Sequence, residues 1–364
     1  MTSATPAVKT RHKEYSLIFP LAALGVLSLW GAATAIGVLV AINLLALLGI
    51  LVSAFSVVRH ADVLAHRLGE PLGSLILTLS VVILEVSLIS ALMATGNAAP
   101  ALMRDTLYSV IMIVTTGLVG FSLLLGGSKF ATQSLNLAGI KQYLMAIMPL
   151  SVIVLVFPSS LPGGNFTVAQ MLIVGAVSAA MYGVFLLIQT RTHQKWFIYE
   201  HEDEDDDDPH GKPSAHGSLW HGAWLIIHLI AVVVVTKVNA EPLDHLLTAI
   251  DAPKQVTGFL VALLILSPEG LGAIRAVLAN EVQRAMNLFF GSILATISLT
   301  VPTVTLIAIF TGNQLTFGLS LPQTVVMLTA LIVCQVSLST GRTNVLNGAA
   351  HLALFVAYLM TIML

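Results

Sequence analysis

The sequence predicts an all-α membrane protein with about eleven transmembrane helices, and three observations lead to this fold class. First, 57% of the 364 residues are hydrophobic and only 9% are charged, whereas a soluble domain carries about 25% charged residues. Second, apolar runs of about 18 residues or more follow one another along the chain, each long enough to cross about 30 Å of hydrocarbon. Third, these runs lack the alternating polarity of membrane β-strands, so they predict helices.

The predicted spans follow one another with short polar connections. They cover, in approximate numbers, residues 16–31, 35–58, 73–95, 105–126, 141–158, 166–190, 218–237, 255–278, 286–311, 321–340 and 343–363. Only the break at Trp30–Gly31 separates the first two spans. The first span is followed by further spans, so we expect it to be a retained membrane helix rather than a cleaved signal peptide.

The distribution of basic residues predicts the orientation. With the N-terminus in the cytoplasm, thirteen of the 16 lysines and arginines fall on the cytoplasmic side. These are Lys9, Arg11, Lys13, Arg59, Arg67, Lys129, Lys141, Arg191, Lys195, Lys212, Arg275, Arg284 and Arg342. Arg104, Lys237 and Lys254 fall on the other side. Because cytoplasmic loops of membrane proteins are enriched in Lys and Arg, we expect a cytoplasmic N-terminus and a periplasmic C-terminus.

One strongly polar segment divides the membrane region. Residues 200–217 contain an unbroken acidic run from Glu202 to Asp208, which predicts a solvated cytoplasmic loop. We therefore divide the chain into an N-terminal segment with a leading helix (1–34), a first membrane repeat (35–190), the acidic loop (191–217) and a second membrane repeat (218–364). Histidines cluster around the loop, and they could bind metal or sense pH, or they could be incidental in a solvated segment. They are His193, His201, His210, His216, His221 and His228.

Two glutamates stand at matching places in the two repeats. Glu85 lies near the middle of predicted span 3, and Glu269 lies near the middle of predicted span 8. Each of these spans is the second of five in its repeat. Because five is an odd number, the two repeats cross the membrane in opposite senses. Inverted repeats of this kind form secondary transporters whose substrate site lies near the midplane.

The chemistry of a buried carboxyl predicts what these glutamates do. An ionisable side chain at the bilayer centre costs roughly 2.5–3.5 kcal/mol on insertion scales. Burial favours the neutral carboxyl, whereas a nearby cation favours the carboxylate. Glu85 and Glu269 would therefore hold either protons or a cation, which is the coupling that an antiporter needs. The alternative is that each is a structural glutamate, protonated and hydrogen-bonded to a neighbouring helix.

Further oxygen ligands are needed for a hard cation. Ca²⁺ takes about six to eight oxygens, and two carboxylates match one divalent ion or two protons in charge. The candidate donors are hydroxyls on the spans that carry the glutamates and on the spans that follow them: Thr78, Ser109, Ser292 and Thr296. Each hydroxyl could instead be a packing contact between helices.

The sequence resembles calcium/proton antiporters of the cation/calcium exchanger superfamily, especially the bacterial sodium–potassium/proton and calcium/proton antiporters. The resemblance extends over nearly the whole chain. It rests on SAFSVVRHADVLAHRLGEP, SLILTLSVVILEVSLISALMATG, the acidic loop, GFLVALLILSPEGLG, NLFFGSILATISLTVP and GRTNVLNGAAHLALF. It implies one leading helix, two inverted five-helix repeats, and cation binding by Glu85 and Glu269.

The same resemblance implies a location and a set of partners. We expect a multi-pass protein of the bacterial inner membrane that contacts lipid and carries Ca²⁺, Na⁺ or K⁺ against protons. We expect no cofactor and no nucleic acid partner, and the oligomeric state is left open. In calcium-selective relatives each glutamate closes a G-N-x-x-E motif, whereas here residues 81–85 read VVILE and residues 265–269 read ILSPE. Without those two asparagine amides, transport of Na⁺ or K⁺ beside Ca²⁺ is favoured.

Two other classes of function are alternatives. A cation channel would use the two glutamates as a filter, and its flux would not require an opposing proton gradient. An intramembrane hydrolase would need a nucleophile and a base at matched positions, and the buried His228 and His351 have no such partners at helical spacing. The sequence contains no P-loop, which argues against an ATP-driven pump.

Charged residues outside the glutamates are given ordinary roles. Arg104 and Arg284 are expected near the membrane interfaces, where long side chains reach water. The segment that contains Arg59, His60 and Asp62 is expected to be a charged cytoplasmic loop before span 3. Glu85 and Glu269 are the only acids in the interiors of the predicted spans.

Overall fold

A computed structural model describes residues 14–68, 72–93, 100–197 and 216–363. Within these ranges the chain forms eleven long helices, as the sequence predicts. They are α1 (Ile18–Trp30), α2 (Ile36–Leu68), α3 (Leu72–Met93), α4 (Leu102–Phe130), α5 (Leu137–Ser160), α6 (Val168–Thr192), α7 (Ser218–Ala249), α8 (Gln255–Leu278), α9 (Val282–Thr311), α10 (Leu321–Leu338) and α11 (Val345–Ile362). Nine are long and apolar enough to cross a membrane, and Tyr15–Trp30 and Thr78–Met93 are shorter apolar helices. Most of the predicted acidic loop lies outside the described residues.

Short elements complete the described chain. Strands β1 (Gln133–Ser134) and β2 (Arg342–Thr343) form one antiparallel pair. Single 3₁₀ turns are Tyr15–Leu17, Phe157–Ser160 and Gln194–Trp196, and π segments are Ile113–Leu118, Val152–Val156, Ile188–Thr192 and Thr296–Thr300.

Polar residues mark where several helices begin. Thr167 and Ser320 each form a reciprocal capping box with the glutamine three residues later, at the start of α6 and α10. The Asn344 side chain accepts from the Asn347 backbone N–H at 3.1 Å, at the start of α11. These side chains satisfy backbone N–H groups that a helix leaves unpaired at its N-terminus.

Two helices are longer than the hydropathy of the sequence predicts. α2 continues to Leu68 rather than ending near residue 58, and α7 continues to Ala249 rather than ending near residue 237. The 33 residues of α2 span about 50 Å at 1.5 Å per residue, well beyond the hydrocarbon layer. The prediction of a loop at Arg59, His60 and Asp62 is therefore wrong. Arg59 and His60 pair with groups outside α2, Arg59 with Glu14 and His60 with His221.

The connections of the two halves meet at both ends of the bundle. At one end β1 pairs with β2, and Gln133 Nε2 donates to Asn280 Oδ1 at 3.0 Å. At the other end the Thr316 N–H donates to the Pro100 carbonyl at 2.9 Å, and Ser159 Oγ donates to the Leu319 carbonyl at 2.7 Å. An alternating path through eleven spans places each of these pairs on one side. We call the end with β1 and β2 the sheet side, and the other end the opposite side.

π segments interrupt the helices that follow the two glutamate helices. In α4 the π segment is Ile113–Leu118, and in α9 it is Thr296–Thr300. α4 also packs closely on α8 at Gly258, where an added Cβ would lie 2.8 Å from the backbone carbon of Asp105. A glycine there allows the two backbones to approach, and it holds the α8 glutamate helix against α4.

Candidate functional site

A cavity of about 210 Å³ lies among α3, α5, α6, α8 and α9. Its walls combine aliphatic and aromatic groups with a set of polar side chains. The polar residues around it are Thr78, Tyr143, Tyr182, Gln189, Glu269, Arg284, Asn287, Ser292 and Thr296. Among these described lining residues, Glu269 and Arg284 are the charged ones. The cavity therefore brings together α8, which carries one of the predicted glutamates, and three of the four predicted hydroxyls.

Glu269 faces this cavity from α8. Its side chain is partly accessible, and its Oε2 is buried without a hydrogen-bond partner among the described residues. The hydroxyl of Ser292, on α9, lies beside the same carboxyl. A carboxyl with a free buried oxygen at the inner end of a polar cavity can accept a proton or a cation.

Glu85 is fully buried and lies behind the wall of the cavity. Thr296 Oγ1 lines the cavity and donates to Glu85 Oε2 at 2.7 Å. The Thr300 hydroxyl lies near the same carboxyl, and Glu269 is close enough for a charge on one glutamate to act on the other. Thr296 thus connects the two glutamates, since it belongs to the cavity wall and is bonded to the deeper carboxyl.

Several buried oxygens around the two glutamates lack hydrogen bonds within the described part of the chain. They are Glu85 Oε1, Glu269 Oε2, Ser292 Oγ and Thr300 Oγ1. A buried polar atom without a partner costs about 1–3 kcal/mol, so four of them in one place require an explanation. Carboxylate and hydroxyl oxygens are the ligands that hard cations prefer. The donor set therefore fits a bound cation, or protons on the carboxyls when the cation is absent.

Access to the cavity is one-sided. Gln189, Arg284 and Asn287 lie near the helix ends on the sheet side, and the Arg284 side chain is 41% exposed. Toward the opposite side, Leu88 on α3 and Val261 on α8 are buried. The cavity consequently opens toward the sheet side and ends at the glutamates.

The candidate residues from the sequence divide into two groups. Thr78, Ser292 and Thr296, three of the candidate oxygen donors, line the cavity. Ser109 is not among the lining residues, and its hydroxyl donates to the Asp105 carbonyl at 2.6 Å. Arg284, which is expected near a membrane interface, lies in the first turn of α9 and also lines the cavity.

A third buried acid escaped the sequence analysis. Asp105 is 4% exposed within α4, so the described helices bury a carboxyl besides the two predicted glutamates. Arg104 donates to Asp105 Oδ1 through Nε and Nη2, at 2.8 and 2.7 Å, and through Nη1 to the Gly318 carbonyl at 3.0 Å. The sequence did contain one indication of this pair, since Arg104 directly precedes Asp105. This pair joins α4 to the loop before α10 on the opposite side, away from the cavity.

The histidines also have partners that helical spacing did not indicate. His60 Nδ1 lies 2.8 Å from His221 Nδ1, and His228 Nε2 lies 3.8 Å from a carboxyl oxygen of Glu14. Among the described residues no group of three or more His, Cys, Asp or Glu side chains is arranged to hold a metal. His60, His221 and His228 therefore join α2, α7 and the N-terminal segment.

Ser337 and His351 form a serine–histidine pair between α10 and α11. Ser337 Oγ is 2.8 Å from His351 Nε2, and His351 Nδ1 is 2.6 Å from the Thr115 carbonyl in the α4 π segment. Because a carbonyl only accepts, Nδ1 must carry the proton. The pair does not border the cavity described above. It ties α10 and α11 to the π segment of α4.

Comparison with known proteins defines the class. The model of the sodium/calcium exchanger protein family matches residues 38–191 and 220–364. The chain belongs to this family. The two matches cover both predicted repeats and leave the acidic loop between them.

Individual relatives agree with this assignment. The chain is 74% identical over 364 residues to the sodium-potassium/proton antiporter ChaA of Escherichia coli (strain K12), and the match covers 100% of both chains. It is 21% identical over 282 residues to the Ca²⁺/H⁺ antiporter ChaA of Bacillus subtilis (strain 168), covering 72% of this chain and 78% of that protein. The fold is similar to the solved structure of native YfkE, with a TM-score of 0.72 at 16% identity over 96% of this chain and 99% of that one.

Proposed function

We propose that this protein is a cation/proton antiporter of the bacterial inner membrane that exports Na⁺, K⁺ or Ca²⁺ in exchange for protons. The observation that supports this most directly is the one-sided cavity, which ends at two buried glutamates with unpaired oxygens. The full-length similarity to a sodium-potassium/proton antiporter supports the ions and the exchange.

The mechanism follows from the cost of an empty, ionised site. With one divalent cation bound, or with one monovalent cation on one carboxylate and a proton on the other, the charges of Glu85 and Glu269 are balanced. With protons bound, both carboxyls are neutral. An unliganded pair of carboxylates would leave two buried charges uncompensated, which is the least stable state. The protein would therefore change its accessible side only when loaded with one cargo or the other.

The sheet side is assigned to the cytoplasm because Lys129, Arg191, Arg275, Arg284 and Arg342 lie at helix ends on that side. The cavity would then be open to the cytoplasm, ready to take a cation for export. A second conformation would expose the same glutamates to the periplasm, as expected for inverted repeats.

Proteoliposomes give the test. Purified protein is reconstituted with a pH-sensitive dye inside, and Na⁺, K⁺ or Ca²⁺ is added outside in separate experiments. Exchange predicts saturable proton movement opposite to the cation, which an imposed proton gradient can drive in reverse. Cation flux that does not saturate and is independent of the proton gradient would indicate a channel and refute the proposal.

A further inference from the structure

We propose that Arg284 is a charge filter at the mouth of the cavity, which sets the preference between monovalent and divalent cations. The inference rests on the proposed function of the cavity as a cation path. Arg284 and Glu269 are the charged residues among the described ones that line it. Every cation that enters from the sheet side would pass a fixed positive charge before it reaches the carboxyl.

The position of Arg284 on α9 fixes its distance from the site. Its face of the helix continues inward through Leu288, Ser292 and Thr296, which line the same cavity. Arg284 and Ser292 are eight residues apart, so they are separated by about 12 Å along the helix axis at 1.5 Å per residue. Ser292 lies beside Glu269. The guanidinium is thus about two helical turns from the cation site, on its approach route.

The ion pair of Arg284 weakens the field of this charge in the cavity but leaves the guanidinium among the lining groups. Its Nη1 lies 3.2 Å from Glu281 Oε2, in the residue that precedes α9. Glu281 is not among the lining residues, whereas Arg284 is. The Arg284 side chain is also 41% exposed, so its charge faces both the cavity and water.

The physics predicts a dependence on the charge of the ion. The energy between the guanidinium and a cation is proportional to the charge of that cation. The fold-change in the binding constant of a divalent ion is therefore the square of the fold-change for a monovalent ion. At about 12 Å and an effective dielectric constant of about 40–80, removal of one positive charge strengthens monovalent binding at most about two- to threefold and divalent binding at most about four- to ninefold, because the neighbouring Glu281 carboxylate offsets part of the charge. Arg284 therefore disfavours Ca²⁺ relative to Na⁺ and K⁺.

Equilibrium binding of Ca²⁺ and of Na⁺ to the purified protein in detergent at low ionic strength tests this. Arg284→Gln should tighten Ca²⁺ binding by about the square of its effect on Na⁺ binding. Arg284→Lys keeps the charge and should bind both ions as the wild type does. Arg342→Gln is the matched control, since Arg342 is exposed in β2 on the same side and belongs to none of the helices that line the cavity. Added choline chloride should weaken the effect of Arg284→Gln, because salt screens charges over about 10 Å at 0.1 M.

Three results would overturn the inference: equal changes for both ions, the same change in Arg342→Gln, or a lysine variant that behaves like the glutamine variant. The last result would indicate a structural role for the guanidinium. Proton flux in proteoliposomes is measured in parallel. The predicted binding pattern without any proton flux would refute the proposed exchange and support the charge filter.

Discussion

At the scale of single residues, the two glutamates occupy unequal positions. Glu269 faces the cavity, whereas Glu85 is fully buried and receives a hydrogen bond from Thr296. A cation that enters from the sheet side would meet Glu269 first and could reach Glu85 only by displacing or sharing the Thr296 hydroxyl. The two carboxyls therefore have different tasks in the proposed exchange. Glu269 contacts the entering cation first, and Glu85 completes its binding at the inner end of the site.

Replacing either glutamate should stop exchange without harming the fold. Glu85→Gln and Glu269→Gln keep the shape of the side chain and one oxygen, but they cannot release a proton. We expect proton-coupled Na⁺, K⁺ and Ca²⁺ flux in proteoliposomes to fall to the level of protein-free vesicles. Thermal stability in detergent should be equal or higher, because the cost of burying a charge disappears.

Glu241→Gln is the matched control, since Glu241 is an exposed glutamate on α7. It should exchange ions at the wild-type rate. Substantial exchange in either cavity variant, at matched protein levels, would leave that glutamate with only a structural role.

Thr296 is expected to tune affinity rather than to carry charge. Thr296→Val keeps the volume of the side chain and removes the hydroxyl that donates to Glu85. A hydrogen bond to a charged group contributes about 1.5–3 kcal/mol, so apparent cation affinity should fall about tenfold or more. Thr296→Ser keeps the hydroxyl and should remain within about threefold of the wild type. Equal behaviour of the valine and serine variants in flux titrations would argue against this role.

At the scale of elements, the extension of α2 depends on an acid from outside the helices. Arg59 Nη2 lies 2.7 Å from Glu14 Oε2, and His60 Nε2 lies 3.5 Å from Glu14 Oε1. Glu14 is 4% exposed, although it precedes α1 by a single 3₁₀ turn. The N-terminal segment therefore binds to the sheet-side ends of α2 and α7 through one carboxylate.

Removing this carboxylate should destabilise the packing in a pH-dependent way. Burial raises the pKa of Glu14, but Arg59, His60 and the Ser16 hydroxyl together outweigh it and hold the pKa below its ordinary value of 4.5. The stabilisation is thus fully present above about pH 4.5 and is lost as pH falls through the lowered pKa. Near neutral pH we expect Glu14→Gln to lower the free energy of unfolding by about 1 kcal/mol, since Arg59 is partly exposed.

Unfolding in detergent at pH 7 and at stepwise lower pH measures this difference. The gap between the wild type and Glu14→Gln should narrow below about pH 4.5. A gap that stays constant with pH would show that the Glu14 charge does not stabilise the contact. Glu241→Gln again serves as the control, and its free energy of unfolding should equal that of the wild type at every pH.

At the scale of the whole molecule, the alternating path of the chain gives each loop a side. The sheet side holds β1, β2 and the mouth of the cavity, and the opposite side holds the loops at Pro100, Ser159 and Thr316. These contacts fix which loops share a side. The count of lysines and arginines supplies the assignment of the sheet side to the cytoplasm.

Introduced cysteines would test that assignment. Ser339 is exposed on the sheet side, and Asn313 is exposed on the opposite side. In a background in which the buried Cys334 is replaced by alanine, a membrane-impermeant maleimide applied to intact spheroplasts should label Asn313→Cys and leave Ser339→Cys unlabelled. The reverse pattern would invert the orientation and turn the cavity toward the periplasm. Labelling after lysis provides the control for reactivity.

The sequence alone was sufficient for the eleven membrane helices, and it singled out Glu85 and Glu269 as candidate site residues. Both inferences rest on local hydropathy. A long apolar run must be a helix in lipid, and an acid within such a run is costly enough to indicate a functional role. The family resemblance added the inverted repeats on the same residues. None of these inferences required the contacts between helices.

Contacts between distant residues were decided by the tertiary structure. The bond from Thr296 to Glu85 joins positions 211 residues apart, and His60 and His228 have partners from other elements. The π segments also matter, because each inserts residues that rotate the rest of the helix by about 100° per residue, so the face predicted from a regular period is shifted beyond that point. The sequence determined which segments cross the membrane, because hydropathy is local. Only the packed helices decided which oxygens meet at the cavity and to which side it opens, because those depend on helix crossings and side-chain directions that no local pattern encodes.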